Sequence, residues 1–157
     1  KDIIMNLDSA VNEINNLSIK NGTNIFQYTG RLWHSGLIDF QNLALQANKV
    51  VWFTNDANRQ DYYNGWAKDD AERNNKTAYK SELVSNGNLR LANFDQDHFH
   101  QITMTHLNSQ HSNLNTALYF FCIANKIDGI IRGENLNEIA IITTKIHNLQ
   151  VLKKTNL

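Results

Sequence analysis

Residues 30–36 read GRLWHSG, from Gly30 to Gly36. An apolar approach leads into a Trp–His pair, and the chain then breaks into Ser–Gly. The stretch reads as the end of a buried strand that carries an imidazole to the point where the backbone must turn. Two readings of His34 stay open on these residues alone. It is packing material bonded to backbone, or it is aimed from a rigid element into a cleft, with Ser35 and Gly36 letting backbone approach a ligand.

Around this stretch the chain alternates between the helical and the extended period. The opening "DIIMNLDSAVNEINNLSIKNG" places Ile4, Leu7, Val11 and Ile14 at helical spacing and stops at Asn21–Gly22, so it predicts a helix over residues 1–22. "NIFQYTGRLWH" reads as one extended segment with Gly30 as a bulge or close approach. "LIDFQNLALQANK" predicts a short helix behind that strand, and "KVVWFT", β-branched and aromatic, a buried strand. Asn55 or Asp56 then caps a helix through "ANRQDYYNGWA". "KDDAERNNK" has no apolar period and reads as a mobile loop.

"TAYKSELV" and "NLRLANF" alternate like strands around a turn at residues 85–88. Two helices, "QDHFHQITMTHL" and "SNLNTALYFFCIANK", precede three short strands in "DGIIRG", "LNEIAIITT" and "LQVLKK". Helices inserted between mainly short strands give an α+β class. At 157 residues, 41% of them apolar, the chain is expected to form a single domain with a real core, an N-terminal helix at 1–22 and a core unit at 27–157. The opening Lys1 reads as a processed product or an excised domain.

Formal charge balances to zero, so no global field attracts nucleic acid or an acidic membrane. No apolar run reaches the length of a membrane helix, and no membrane partner is expected. The single cysteine, Cys122, cannot form an internal disulfide. The histidine-rich "DHFHQITMTHLNSQH", with Asp97, His98, His100, His106 and His111, has no pair at the i, i+4 spacing of a helical metal site. It reads as solvated helix faces, and no metal is expected. Lys68, Arg73, Lys76 and Lys80 gather near Tyr79, but Asp69, Asp70 and Glu72 cancel much of their charge, so a solvated segment is favoured over a nucleic-acid surface.

One carboxylate stands out. Glu138 opens "EIAII", and a charge at the mouth of an apolar strand is costly unless it faces solvent, a cleft or a partner. Taken together, "LWHSG", then "VVWFTND" running into "DYY", then "DGIIRGENLNEIAII" and "LQVLKK", resemble the ADP-ribosyltransferase fold. The likeness is to the branch shared by diphtheria-type toxins and poly(ADP-ribose) polymerases, and it covers residue 27 to the C-terminus.

The resemblance implies split mixed β-sheets with peripheral helices, NAD as co-substrate and transfer of ADP-ribose to a protein or nucleic-acid acceptor. A small freestanding domain without a start residue suggests a toxin or effector module with a cytoplasmic site of action, and with it an inhibitor or immunity protein as partner. Position by position, the resemblance implies that His34 bonds a ribose hydroxyl and that Ser35 clamps the carboxamide through its backbone. Trp52 stands on the aromatic strand, with Thr54 as a minor polar contact. Tyr62 or Tyr63 stacks on nicotinamide, and Glu138 is the catalytic carboxylate.

The division of labour is physically sound. Oxidised nicotinamide is cationic and suits an aromatic face. As its bond to ribose lengthens, positive charge moves to the ribose, where a fixed carboxylate is worth more than in the ground state. Three departures matter: Ser35 where many relatives have Gly, Trp52 where tyrosine is usual, and Leu136 where arginine-modifying relatives carry a second Glu. The last disfavours arginine as acceptor. Hydrolysis of NAD at the same site, RNA 2′-phosphate transfer on a related fold, and an inactive binding module are the rival readings.

Overall fold

The structure is a computed structural model that describes residues 24–42, 45–85, 89–94, 111–133 and 135–157. The expected N-terminal helix and the histidine-bearing helix over 96–107 lie outside the described residues. The class is α+β.

Among the described residues eight strands form one mixed sheet: β1 (Ile25–Tyr28), β2 (Arg31–Gly36), β3 (Val50–Thr54), β4 (Tyr79–Ser85), β5 (Leu89–Asn93), β6 (Gly129–Arg132), β7 (Glu138–Ile142) and β8 (Leu149–Asn156). Their order is β1-β5-β6-β7-β3-β2-β4-β8, and only β5 and β6 run parallel. The sheet is split. Its two halves, β1-β5-β6-β7-β3 and β2-β4-β8, are joined at β2 and β3 by the single register pair Trp33↔Thr54. Helix α1 (Ala57–Asn74) leans on β2, and α2 (His111–Ala124) covers β3, β6 and β7.

The near-continuous apolar run of β7 follows from burial on both faces. Ala140 and Ile142 pack with Ala117, Leu118, Phe121 and Cys122 of α2, whereas Ile139 and Ile141 face a second core with Leu32, Phe53, Leu83 and Ile131. Burial pushes the Cys122 thiol far up, which leaves it an inert packing group. Gly129 marks how tightly β6 meets β7, since a Cβ there would lie 2.1 Å from the Ala140 carbonyl oxygen.

Four expectations are corrected. The segment 24–34 is two strands: Gly30, at φ +155°, breaks it, and β1 and β2 pair in different halves of the sheet. Residues 37–42 and 45–49 form turns rather than a helix; the Asp39 carboxylate accepts from the Gln41 amide and Asn42 Nδ2 and is tied to Lys154. Such side-chain bonding competes with helix formation.

The charged stretch 68–74 is helical, not a loop. α1 continues through it because Ala67 and Ala71, one turn apart, face the protein, and Asn75 closes it in the left-handed conformation by donating to Glu72 O. Finally, β4 and β5 are strands but not neighbours: they lie in different half-sheets and do not pair as a hairpin.

Candidate active site

The split positions the site. Below their one register pair β2 and β3 lack a ladder, and a side chain replaces it: His34 Nδ1 lies 2.7 Å from the Trp52 carbonyl oxygen. A carbonyl only accepts, so Nδ1 carries the proton and the neutral ring keeps its lone pair on Nε2. The imidazole meets Phe40 edge-on at 5.1 Å and Phe53 at 5.6 Å, and its Nε2 is buried without a partner. Gly36 has to be small for this reason, since a Cβ there would sit 2.7 Å from Nε2. Gly36 therefore serves the imidazole and does not line the cavity described below.

Burial lowers the His34 pKa below its ordinary value of 6.5, outweighing the bond to Trp52. The unfolded chain then binds more protons at this residue than the fold does once pH falls below 6.5, so its contribution to stability is complete above that value and is lost on acidification. In urea unfolding, the stability lost between pH 7.5 and pH 5 should be smaller for His34→Gln than for the wild type. Equal losses would place the titrating group elsewhere.

The strands and α1 set the remaining groups. Thr54 Oγ1 accepts from the Asp56 amide, and Asp56 caps α1 by accepting from Asn58 N. The buried Gln60 donates Nε2 to the carbonyls of both His34 and Ser81, tying α1 to β2 and β4. Ser35 Oγ donates to Asn64 Oδ1. The helical phase separates the two tyrosines: Tyr63 turns to the cavity, whereas Tyr62 is 59% exposed. Trp52 Nε1 donates to Asn115 Oδ1 of α2 at 2.9 Å, and Trp33 Nε1 to Glu82 Oε1 at 3.0 Å, so both indoles are held.

Glu138 stands opposite Arg132 on β6 and opposite Thr54 on β3. Its Oε2 accepts from Arg132 Nη1 at 3.1 Å, while Oε1 has no hydrogen-bond partner among the described residues. Gly133, at φ +101°, turns the chain beside it, where a Cβ would approach Oε2 to 3.0 Å. Asn55 Nδ2 holds the same turn through the Leu136 carbonyl. At the mouth, Arg59 lies 5.5 and 5.8 Å from the Tyr62 and Tyr63 ring centroids. The Tyr63 hydroxyl first, and Glu138 further off, raise its pKa.

These groups share one cavity of about 420 Å³, walled by Trp33, Trp52 and Tyr63 and lined also by His34, Ser35, Thr54, Leu114, Arg132 and Glu138. Arg132, Trp33 and Leu114 escaped the sequence reading. The signal for Arg132 was the spacing "RGENLNE", a short turn that sets an arginine across from the glutamate. A larger hollow, about 680 Å³, opens at the far end of the split near Ile38, Lys49, Val51 and Lys76. Its one carboxylate among the described residues, Asp39, is held by Lys154, so the smaller cavity is the one of the two that offers an acid oxygen to a ligand.

Neither a protein-family model nor a curated protein matches this chain. Among solved structures it is similar to the crystal structure of the M. tuberculosis MbcT–MbcA toxin–antitoxin complex, with a TM-score of 0.56 over 97% of this chain and 92% of that chain. Sequence identity is 8%. The likeness is one of fold.

Among the described residues no three His, Cys, Asp or Glu side chains gather as a metal site, and no helix is long and apolar enough to cross a membrane. The cluster from Asp97 to His106 lies outside the described residues, and His111 opens α2.

Proposed function

We propose that the chain cleaves the nicotinamide–ribose bond of NAD and passes ADP-ribose to a macromolecular acceptor. One observation carries the reading. An imidazole and a carboxylate with a free oxygen, far apart in sequence, line a single aromatic-walled cavity. In this reading Trp33, Trp52 and Tyr63 frame the cationic ring, and the Ser35 backbone clamps its carboxamide. His34 bonds a ribose hydroxyl.

As the bond breaks, its electron pair leaves with nicotinamide, and Glu138 Oε1 faces the charge growing on ribose. Arg132 fixes the carboxylate through the other oxygen. The acceptor's nucleophile then bonds to the same ribose carbon and gives up its proton. Similarity to a chain from a toxin–antitoxin complex supports a toxin with a protein inhibitor as its partner.

The test uses NAD labelled in its adenylate half, alone and with cell extract. We expect nicotinamide release in both, and label on protein or nucleic acid in the second. Release without transfer would make the activity a hydrolase. No release under either condition would leave a binding module.

A further inference from the structure

The face of the β2-β4-β8 half-sheet that carries α1 holds another hollow, of about 360 Å³. Trp33 walls both this hollow and the cavity of Glu138. Along its floor Lys80 stands opposite Thr155, and Glu82 opposite Lys153. A glutamate and a lysine directly across two strands ordinarily pair.

Here Glu82 turns the other way. Its Oε1 accepts from Trp33 Nε1 and its Oε2 from Arg31 Nη1, each at 3.0 Å. Lys153 thus loses its ladder partner. Lys80, its diagonal neighbour on the same face, has no ion-pair or hydrogen-bond partner among the described residues either. Two ammonium groups therefore border one hollow whose only carboxylate among the described residues already serves two donors elsewhere. Like charges on diagonal positions repel, and an anion between them relieves the repulsion.

We propose that this hollow is a phosphate site, occupied by a phosphate monoester of the acceptor. A monoester carries close to two negative charges at neutral pH, which matches the two lysines better than a carboxylate does. The hollow exceeds one phosphate in volume, which leaves room for the group that bears it. Trp33 lines both this hollow and the cavity of Glu138, so an acceptor anchored here is held near the reacting ribose. The link to an acceptor rests on the function proposed above; the phosphate site itself does not.

Calorimetric titration tests it, with inorganic phosphate and with a short oligonucleotide carrying or lacking a 5′-phosphate. Each is added to the full chain and to Lys80→Ala/Lys153→Ala. The expected result is saturable binding of phosphate, tighter binding of the phosphorylated oligonucleotide than of its unphosphorylated twin, and at least a tenfold weakening in the double variant. Equal binding by the two oligonucleotides, with phosphate still bound through the lysines, would assign the site to free phosphate and overturn the acceptor role.

No saturable binding to the wild type, or undiminished binding to the double variant, would overturn the site. Circular dichroism and acceptor-free nicotinamide release should be unchanged in the double variant. Lys153→Ala alone, at an exposed position, repeats the test should the pair fail to fold. Lysine-dependent phosphate binding by a wild type that releases no nicotinamide would retain the site and refute the enzymatic reading.

Discussion

Glu138→Gln should lower nicotinamide release by about 10²–10³-fold while the fold melts within a few degrees of the wild type. The substitution keeps the size of the side chain. The amide oxygen can still accept from Arg132 Nη1, and this pair is partly exposed, at 28% for Glu138 and 19% for Arg132. Its loss as an ion pair costs about 0–1 kcal/mol. The chemical step is affected far more. The negative charge contributes little while nicotinamide holds the positive charge, and most once that charge has moved to ribose. The fall should therefore appear in kcat, with KM for NAD nearly unchanged. Steady-state rates at saturating NAD, with thermal melts on the same samples, decide it. A variant that retains more than a tenth of the wild-type rate would remove Glu138 from the chemistry.

The α+β class was legible because the decisive elements carry unmistakable side-chain patterns. "VVWFT" and "EIAII" could be little other than strands, and the cap was narrowed to Asn55 or Asp56, of which Asp56 caps α1. What was hidden has a common physical cause: it depended on partners remote in sequence. The break at Gly30 is invisible locally, because β1 and β2 are equally extended and differ only in which strands they join. The second half of α1 has almost no apolar residues, and two alanines facing the protein are enough to carry it.

At the site, the resemblance pointed to His34 and Glu138 and implied split sheets, but the residues alone could not show that the split falls between β2 and β3. Nor could they choose between adjacent tyrosines. That choice follows from the phase of α1, in which Gln60 and Ala67 face inward and Tyr63 lies nearer to them than Tyr62. In the sequence, Gly36 suggests close ligand approach. The space it vacates is taken by the imidazole two residues earlier.

The same geometry leads to the second large effect. His34→Ala should cost about 2–4 kcal/mol in urea unfolding, since it removes one buried hydrogen bond and leaves a gap between Phe40 and Phe53. The loss is amplified by location: β2 and β3 share one register pair, and the imidazole bond to Trp52 is the additional tie that spans the split. A packing role and a ligand role both predict this destabilisation, so stability alone cannot separate them.

Phe40→Leu separates them. It loosens the same cluster from a position outside the cavity lining and leaves Nε2 in place. If His34 bonds a ribose hydroxyl, His34→Ala weakens NAD binding at least tenfold while Phe40→Leu, though less stable than the wild type, binds NAD as the wild type does. Titrations at a temperature where both variants are fully folded make the comparison clean. Equal affinities across all three proteins would mean that the imidazole of GRLWHSG holds the two half-sheets together and does nothing else.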